Sequence, residues 1–314
     1  MSQNRRSDSF VDLTEDDLRE VFEECDYVAD DDIVTTVLLA LKLGKPLLVE
    51  GEPGSGKTEL AKVLGQGFNT DLIRLQCYEG LSSENALYEW NYTKQLLSVQ
   101  AGERGVEEDT SVFDEEYLLE RPLLSALTQE GDSEYPPVLL IDEIDRADKE
   151  FEAFLLEVLS DFQVSIPEYG SVRAERPPVV VITSNRTRGL SDALKRRCLY
   201  LHIEPPSFEK EYEIVRRKVP ELDGAVATEL CAITQELREE SFLKQPGAAE
   251  TLDWARAIAE LRADGDGSRL SKKDIQNTLG CLLKEVQDIN RVDDKLLERL
   301  QEAAKKARET KTST

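Results

Sequence analysis

Residues 51 to 58 read Gly-Glu-Pro-Gly-Ser-Gly-Lys-Thr, the spacing Gly-x-x-x-x-Gly-Lys-Thr. That spacing suits the cradling of a polyphosphate. Glycines let peptide N–H groups approach phosphate oxygens, the lysine reaches the β- and γ-phosphates, and the threonine hydroxyl binds Mg2+. A helix starting at the lysine aims its positive end at the same anion. The nominated nucleotide contacts are Glu52, Pro53, Gly54, Ser55, Gly56, Lys57, Thr58 and Glu59, with Thr58 also a ligand of Mg2+. An apolar run before the loop and a helical stretch after it argue against a chance glycine-rich turn.

Two acids supply the second half of the chemistry. Val138-Leu139-Leu140-Ile141 runs directly into Asp142 and Glu143. Open α/β sheets bind ligands at the carboxyl ends of their strands, so these carboxylates belong beside the phosphates. Asp142 reads as the second Mg2+ ligand and Glu143 as the group that orients and polarises an attacking water. A later run, Val179 to Ile182, ends in Thr183-Ser184-Asn185, and Asn185 can hydrogen-bond that water or the γ-phosphate. Arg186, Arg188, Lys195, Arg196 and Arg197 then crowd into twelve residues with Asp192 as the one acid among them. The plain reading is a solvated helix face paired with acids elsewhere. The functional one is an arginine offered to a neighbour's ATP, where it stabilises transition-state charge; it implies an oligomer with shared sites.

Such groups need a rigid scaffold. Apolar runs at 46–49, 72–75, 138–141, 179–182 and 199–203 have the continuity of parallel strands covered on both faces. Helical stretches lie among them at 31–43, 57–67, 115–130 and 148–161. Thr14-Glu15-Asp16-Asp17 announces a capped helix to about Glu24, and Gly44 reads as a C-cap. Strands alternating with helices predict an α/β layered sheet. After Pro205-Pro206 only helices are expected, at 208–218, 223–240, 248–263, 271–287 and 293–309. The expected domains are a frayed N-terminus over 1–13, a nucleotide-binding core over 14–205 and a helical domain over 206–314.

Lys and Arg total 39 against 64 Asp and Glu, a net charge of −25 in 314 residues. That charge repels phosphodiester backbones, so no nucleic-acid partner is expected. It fits a halophile-like salty cytoplasm as well as an ordinary acidic protein. The cysteines, Cys25, Cys77, Cys198, Cys231 and Cys281, form no C-x-x-C pair, and His202 is the only histidine, which argues against structural zinc. Scattered thiols, no leader-like apolar opening and no apolar run of about 18 residues give the expectation of a cytoplasmic protein without membrane insertion. No Asn-Lys-x-Asp guanine-reading motif is present, which favours ATP over GTP.

Taken together these residues resemble an AAA+ ATPase, and more narrowly the MoxR family. Within it the chain resembles the carbon monoxide dehydrogenase accessory-type branch, associated with von Willebrand factor A-domain partners. The resemblance is carried by residues 46–61, Gln76-Cys77-Tyr78-Glu79-Gly80-Leu81, Ala86-Leu87-Tyr88-Glu89-Trp90-Asn91-Tyr92, residues 141–148, 183–188 and 192–198, and spans about residues 18 to 262. It implies a P-loop αβα sandwich with a five-stranded parallel sheet, a small all-helical lid and a homo-hexameric ring with ATP between subunits. It also implies Asn185 as sensor 1, Arg197 as arginine finger with Arg196 as alternative, and Tyr27 and Val28 near the adenine. Further implications are an insertion within 78–101, a hairpin flanking Pro167–Ser171, and a chaperone-like task in metalloenzyme maturation or cofactor insertion. A DNA-directed motor and a nucleotide-gated scaffold are the alternatives. One departure stands out. Many relatives carry a sensor 2 arginine soon after a Gly-Ala pair, and Gly247-Ala248-Ala249-Glu250-Thr251 has none, although Arg256 lies on the same expected helix.

Overall fold

Each of the five apolar runs forms a strand, and most of these strands finish on a polar residue. The computed structural model describes residues 8–102, 115–129, 133–167, 169–262 and 269–312. In chain order the elements are α1 (Glu15–Glu24), α2 (Asp31–Leu43), β1 (Leu47–Gly51), α3 (Lys57–Gly67), β2 (Leu72–Gln76), α4 (Ser83–Leu87), β3 (Tyr88–Trp90) and α5 (Tyr92–Gly102). Then come β4 (Leu118–Glu120), α6 (Pro122–Thr128), β5 (Val138–Asp142), α7 (Lys149–Asp161), β6 (Gln163–Ile166), β7 (Gly170–Arg173), β8 (Val179–Ser184), α8 (Asp192–Arg197) and β9 (Leu199–Ile203). Helices α9 (Phe208–Lys218), α10 (Gly224–Arg238), α11 (Ala248–Leu261), α12 (Lys272–Leu282), α13 (Val286–Asn290) and α14 (Asp294–Thr312) complete the chain. By its contacts the chain divides into two units. One comprises Met1–Cys25, Ala29–Glu50 and Lys57–His202; the other comprises Asp26–Val28, Gly51–Gly56 and Ile203–Thr314.

The first unit is built on a five-stranded parallel sheet of order β2-β5-β8-β1-β9. Its registers set the polar strand ends side by side: Gln76 beside Asp142, and Glu50 beside Ser184. Leu139, Leu140 and Ile141 of β5 and Val181 and Ile182 of β8 are buried, as strands covered on both faces require. Leu123, Leu124, Phe151 and Leu155 from α6 and α7 share their cluster with the sheet. Burying each such side chain contributes about 1.5–3 kcal/mol. The helix starts follow local chemistry. Thr14 and Asp17 form a reciprocal capping box on α1, and Gly44 closes α2 in the left-handed conformation with φ 57°.

Two sequence expectations need correction. The stretch 115–130 is not one helix. Leu118–Glu120 pairs antiparallel with Tyr88–Trp90, and α6 begins only at Pro122. Proline disfavours helical backbone at the residue before it and suits the first helical position, so α6 starts there. Likewise 271–287 breaks after Leu282. Lys284 Nζ donates to the Gly280 and Cys281 carbonyls. The fully buried Asp288 takes the Leu243 and Lys244 N–H groups at 2.9 and 3.1 Å, a tertiary demand that propensity does not carry. The hairpin implied around Pro167–Ser171 is present as β6 paired with β7.

The second unit is helical, with no strand after Ile203 among the described residues. Trp254 is fully buried among Val226, Leu230, Ile275 and Leu300, and its indole N–H donates to Thr278 Oγ1 at 2.7 Å. A buried ion pair joins α9 to α10: Arg238 donates to Glu211 through both terminal nitrogens, at 3.0 and 2.5 Å.

Candidate nucleotide site

The glycine-rich loop expected to bind phosphate follows β1 and precedes α3 in the chain. Gly54 and Gly56 adopt φ of +79° and +91°, conformations that side-chain-bearing residues rarely take. Ser55 N–H turns back onto Glu52 O at 3.2 Å, and Ser55 Oγ is buried with no hydrogen-bond partner among the described residues. The loop 51–56 belongs to the same unit as Tyr27 and Val28, which are half-buried.

Within the first unit, Lys57 is buried at the start of α3, and Thr58 Oγ1 donates to Asp142 Oδ1 at 3.1 Å. Thr183 Oγ1 donates to that same oxygen at 2.5 Å. Arg74 Nε and Nη2 donate to Asp142 Oδ2 at 3.0 and 2.6 Å. The Thr58 hydroxyl and the Asp142 carboxylate are hard oxygen donors of the kind Mg2+ selects, so these residues fit that ion. Thr58 and Asp142 would hold the ion, whose charge would offset that of the phosphates.

Glu143 is held next to this pair. Its φ of 57° places a non-glycine residue in the left-handed region, at a cost of about 1–3 kcal/mol that surrounding contacts must offset. Those contacts are present. Its N–H donates to Thr183 Oγ1 at 2.9 Å. Its carboxylate accepts from Asn185 Nδ2 at 3.4 Å, Gln76 Nε2 at 3.1 Å and Arg146 Nη1 at 3.2 Å. The expected water-activating acid and the expected sensor asparagine are therefore in direct contact. Asn185 is itself pinned, since its N–H donates to Asp145 Oδ1 at 3.0 Å. Burial alone would raise the Asp145 carboxyl, but hydrogen bonds from Thr187 and Asn185 outweigh it and hold its pKa below the ordinary value. Cys77, buried beside these acids, has its thiol pushed up to about 12, first by burial and then by Asp142, Asp145 and Glu143. It is a neutral packing residue at physiological pH, not a nucleophile.

The basic run sorts into two groups. Arg186, with φ 58°, donates to the buried Glu50 at 2.9 Å and to Tyr200 Oη at 2.5 Å. Its pKa is raised by the Glu50 bond first and the Tyr200 bond second. Arg188 pairs with the buried Glu152 at 2.5 Å. Arg186 thus links the end of β8 to β1 and β9, and Arg188 ties the segment after β8 to α7. Lys195, Arg196 and Arg197 are exposed in the last turn of α8. Arg197 Nη1 donates to Leu156 O at 2.5 Å, while Arg196 makes no hydrogen bond or ion pair among the described residues. Glu59 pairs on the surface with Lys62 at 3.3 Å, and Arg256 with Asp253 at 3.6 Å.

Sequence reasoning passed over Arg74, Gln76 and Asp145. Their signal was faint but present. Arg74 and Gln76 alternate on β2, so they share the face beside Asp142, and Asp145 stands in the run Ile141-Asp142-Glu143-Ile144-Asp145.

Residues 46–198 match the profile of the AAA domain, dynein-related subfamily. That stretch, just under half of the chain, is similar to AAA domains. Lys57, Thr58, Asp142, Glu143, Asn185 and Arg197 all fall inside the AAA match. Domains of this kind generally bind nucleotide with Mg2+, hydrolyse ATP and commonly form hexameric rings. Over 243 residues the chain is 27% identical to an uncharacterized protein of Staphylococcus haemolyticus, covering 75% of this chain and 84% of that one. Over 239 residues it is 25% identical to an uncharacterized protein of Staphylococcus saprophyticus, covering 74% and 82%. Among solved structures, the RuvB Holliday junction branch migration motor of Thermotoga maritima aligns with a TM-score of 0.48 at 18% identity, over 83% of this chain and 72% of that one. Among the described residues no helix is long and apolar enough to cross a membrane.

Proposed function

We propose that this chain hydrolyses ATP and uses the cycle to remodel a partner protein, as a MoxR-type AAA+ motor. The observation that carries the reading is the contact set at the carboxyl edge of the sheet. Thr58 and Asp142 meet there, and Glu143 is held by Asn185, Gln76 and Arg146. In this reading Lys57 and the loop N–H groups bind the phosphates. Thr58 and Asp142 hold Mg2+, and Glu143 orients the attacking water while Asn185 fixes the Glu143 carboxylate. Tyr27 and Val28 sit near the adenine. The ring is hexameric, with Arg197 completing a neighbour's site. The partner carries a von Willebrand A-type domain, and the client is a metalloenzyme under maturation. Phosphate release from ATP and from GTP tests the first half: the reading requires Mg2+-dependent turnover of ATP.

The partner-facing side of the reading rests on the segment after β2. Leu81, Leu87 and Trp90 are buried in the core and do not face a client. Tyr92, Leu96 and Leu97 of α5 are 60–70% exposed, large apolar groups a monomer gains nothing by displaying. Replacing all three by Ala is expected to leave basal ATPase within about twofold, because surface changes away from the site are usually within ±0.5 kcal/mol. Stimulation by a proven partner is expected to vanish. A triple variant that still responds fully would place the client elsewhere.

A further inference from the structure

Gly247–Thr251 lacks the arginine that the resemblance leads one to look for, and in this chain the segment grips a peptide. Within the second unit, Ala249 N–H donates to Gly54 O at 3.1 Å. The backbones approach so closely that a Cβ on Gly247 would lie 2.9 Å from Pro53 O and 3.1 Å from Gly54 C. A Cβ on Gly54 would lie 2.7 Å from a Glu250 carboxylate oxygen. Gly247 thus needs glycine for the close backbone approach and Gly54 for its φ of +79°, and neither contact uses a cation. A trans peptide ties the direction of one C=O to that of the next N–H. Gly54 C=O is held by Ala249 and Ser55 N–H by Glu52 O, so the plane in the middle of the phosphate loop is fixed at both ends.

The gripping turn is itself set by side chains. Glu250 Oε2 accepts Gly247 N–H at 3.0 Å, closing the first turn of α11. Thr251 Oγ1 donates to Glu211 at 2.7 Å, and Arg238 Nε donates to Pro246 O at 2.7 Å. Glu211 and Arg238 are the buried pair, so the turn hangs on a rigid part of the helical unit.

We propose that Glu250 is a positioning residue for the phosphate loop: by capping Gly247 N–H it holds the start of α11 against the Pro53–Gly54 peptide and pre-orders the loop for polyphosphate. The proposal rests on the reading of 51–58 as an ATP-binding loop. A rival account makes the carboxylate a charge that tunes affinity by repelling phosphate. Glu250→Gln separates the two, since it keeps an acceptor oxygen and removes the charge, whereas Glu250→Ala removes both.

The test measures KM and kcat for MgATP and the exchange rate of the Ala249 amide in nucleotide-free protein. Losing a cap of this kind corresponds to about a five- to tenfold change. Glu250→Ala is expected to raise KM for ATP by that factor with kcat within about twofold, and to speed Ala249 exchange similarly. Glu250→Gln is expected to restore both. Unchanged KM and exchange in Glu250→Ala would overturn the proposal. So would a Gln variant that behaves like the Ala variant or shifts KM by itself. Should Glu250→Ala not fold, the Gln variant decides alone, because it must keep the native KM. If the native chain binds no ATP, the nucleotide reading fails separately, and Ala249 exchange still decides whether Glu250 holds the grip.

Discussion

Glu143→Gln is expected to bind ATP as the native chain does and to lose turnover by about 10²–10⁴, the range that positioned acid–base groups supply. The expectation follows from where the carboxylate stands. It is attached to a strained residue, and its two oxygens are tied to Asn185, Gln76 and Arg146. Asp142, one residue earlier, points to Thr58, Thr183 and Arg74 instead. Two adjacent acids therefore have different surroundings: one meets the Thr58 hydroxyl, proposed above to hold Mg2+, and the other does not. An amide in place of Glu143 keeps the shape but cannot take a proton from water. The Asp142–Thr58 contact stays, so ground-state binding stays. Titration calorimetry with ATP and phosphate release together read the two quantities. Turnover at the native rate would remove Glu143 from the mechanism.

Arg197→Ala is expected to cut hydrolysis by about 10³ or more with ATP affinity little changed, as arginines supplied in trans do. In its own chain Arg197 donates to Leu156 O. Releasing that bond costs about 0.5–1.5 kcal/mol, whereas a 10³ effect corresponds to about 4 kcal/mol. The intramolecular contact is thus too weak to forbid a role in a neighbouring site. Mixing Arg197→Ala subunits with Glu143→Gln subunits is expected to restore part of the activity, because some interfaces then hold an intact arginine and an intact acid. Arg196, exposed and without a hydrogen bond or ion pair among the described residues, is the control. If no mixing ratio rescues turnover and Arg196→Ala is inert as well, the shared-site model loses its support.

Much of this was legible in the chain because strong local signals agreed. Leu47–Gly51 and Val138–Asp142 are continuous apolar runs ending at chemistry, and such runs have one stable place, the middle of a covered sheet. Thr14 with Asp17 and Gly44 bound their helices by caps, which are local by nature. What could not be read depended on partners far along the chain. Leu118–Glu120 becomes a strand only because Tyr88–Trp90 lies beside it. Arg74 and Gln76 looked like ordinary strand residues until the register set Gln76 next to Asp142. Trp90 is in the core, while Tyr92 two residues later is 70% exposed. Alternation in a strand would put residues two apart on one face, but the chain leaves β3 at Trp90 and enters α5 at Tyr92, so the pattern does not carry across. The basic run was read as one cluster. Glu50 and Glu152, remote in sequence, claim Arg186 and Arg188 and leave α8 to carry the exposed charge.

If residues 51–58 bind ATP through Lys57, calorimetric titration of MgATP will distinguish the native chain from Lys57→Ala. Lys57 is buried at the first turn of α3, where the loop pattern directs its ammonium to the β- and γ-phosphates. Saturable binding of about one ATP per chain is expected, as a single phosphate loop implies, with no measurable binding by a folded Lys57→Ala protein. A native chain that takes up no ATP, or a folded Lys57→Ala protein that binds it equally well, would rule out ATP binding through Lys57.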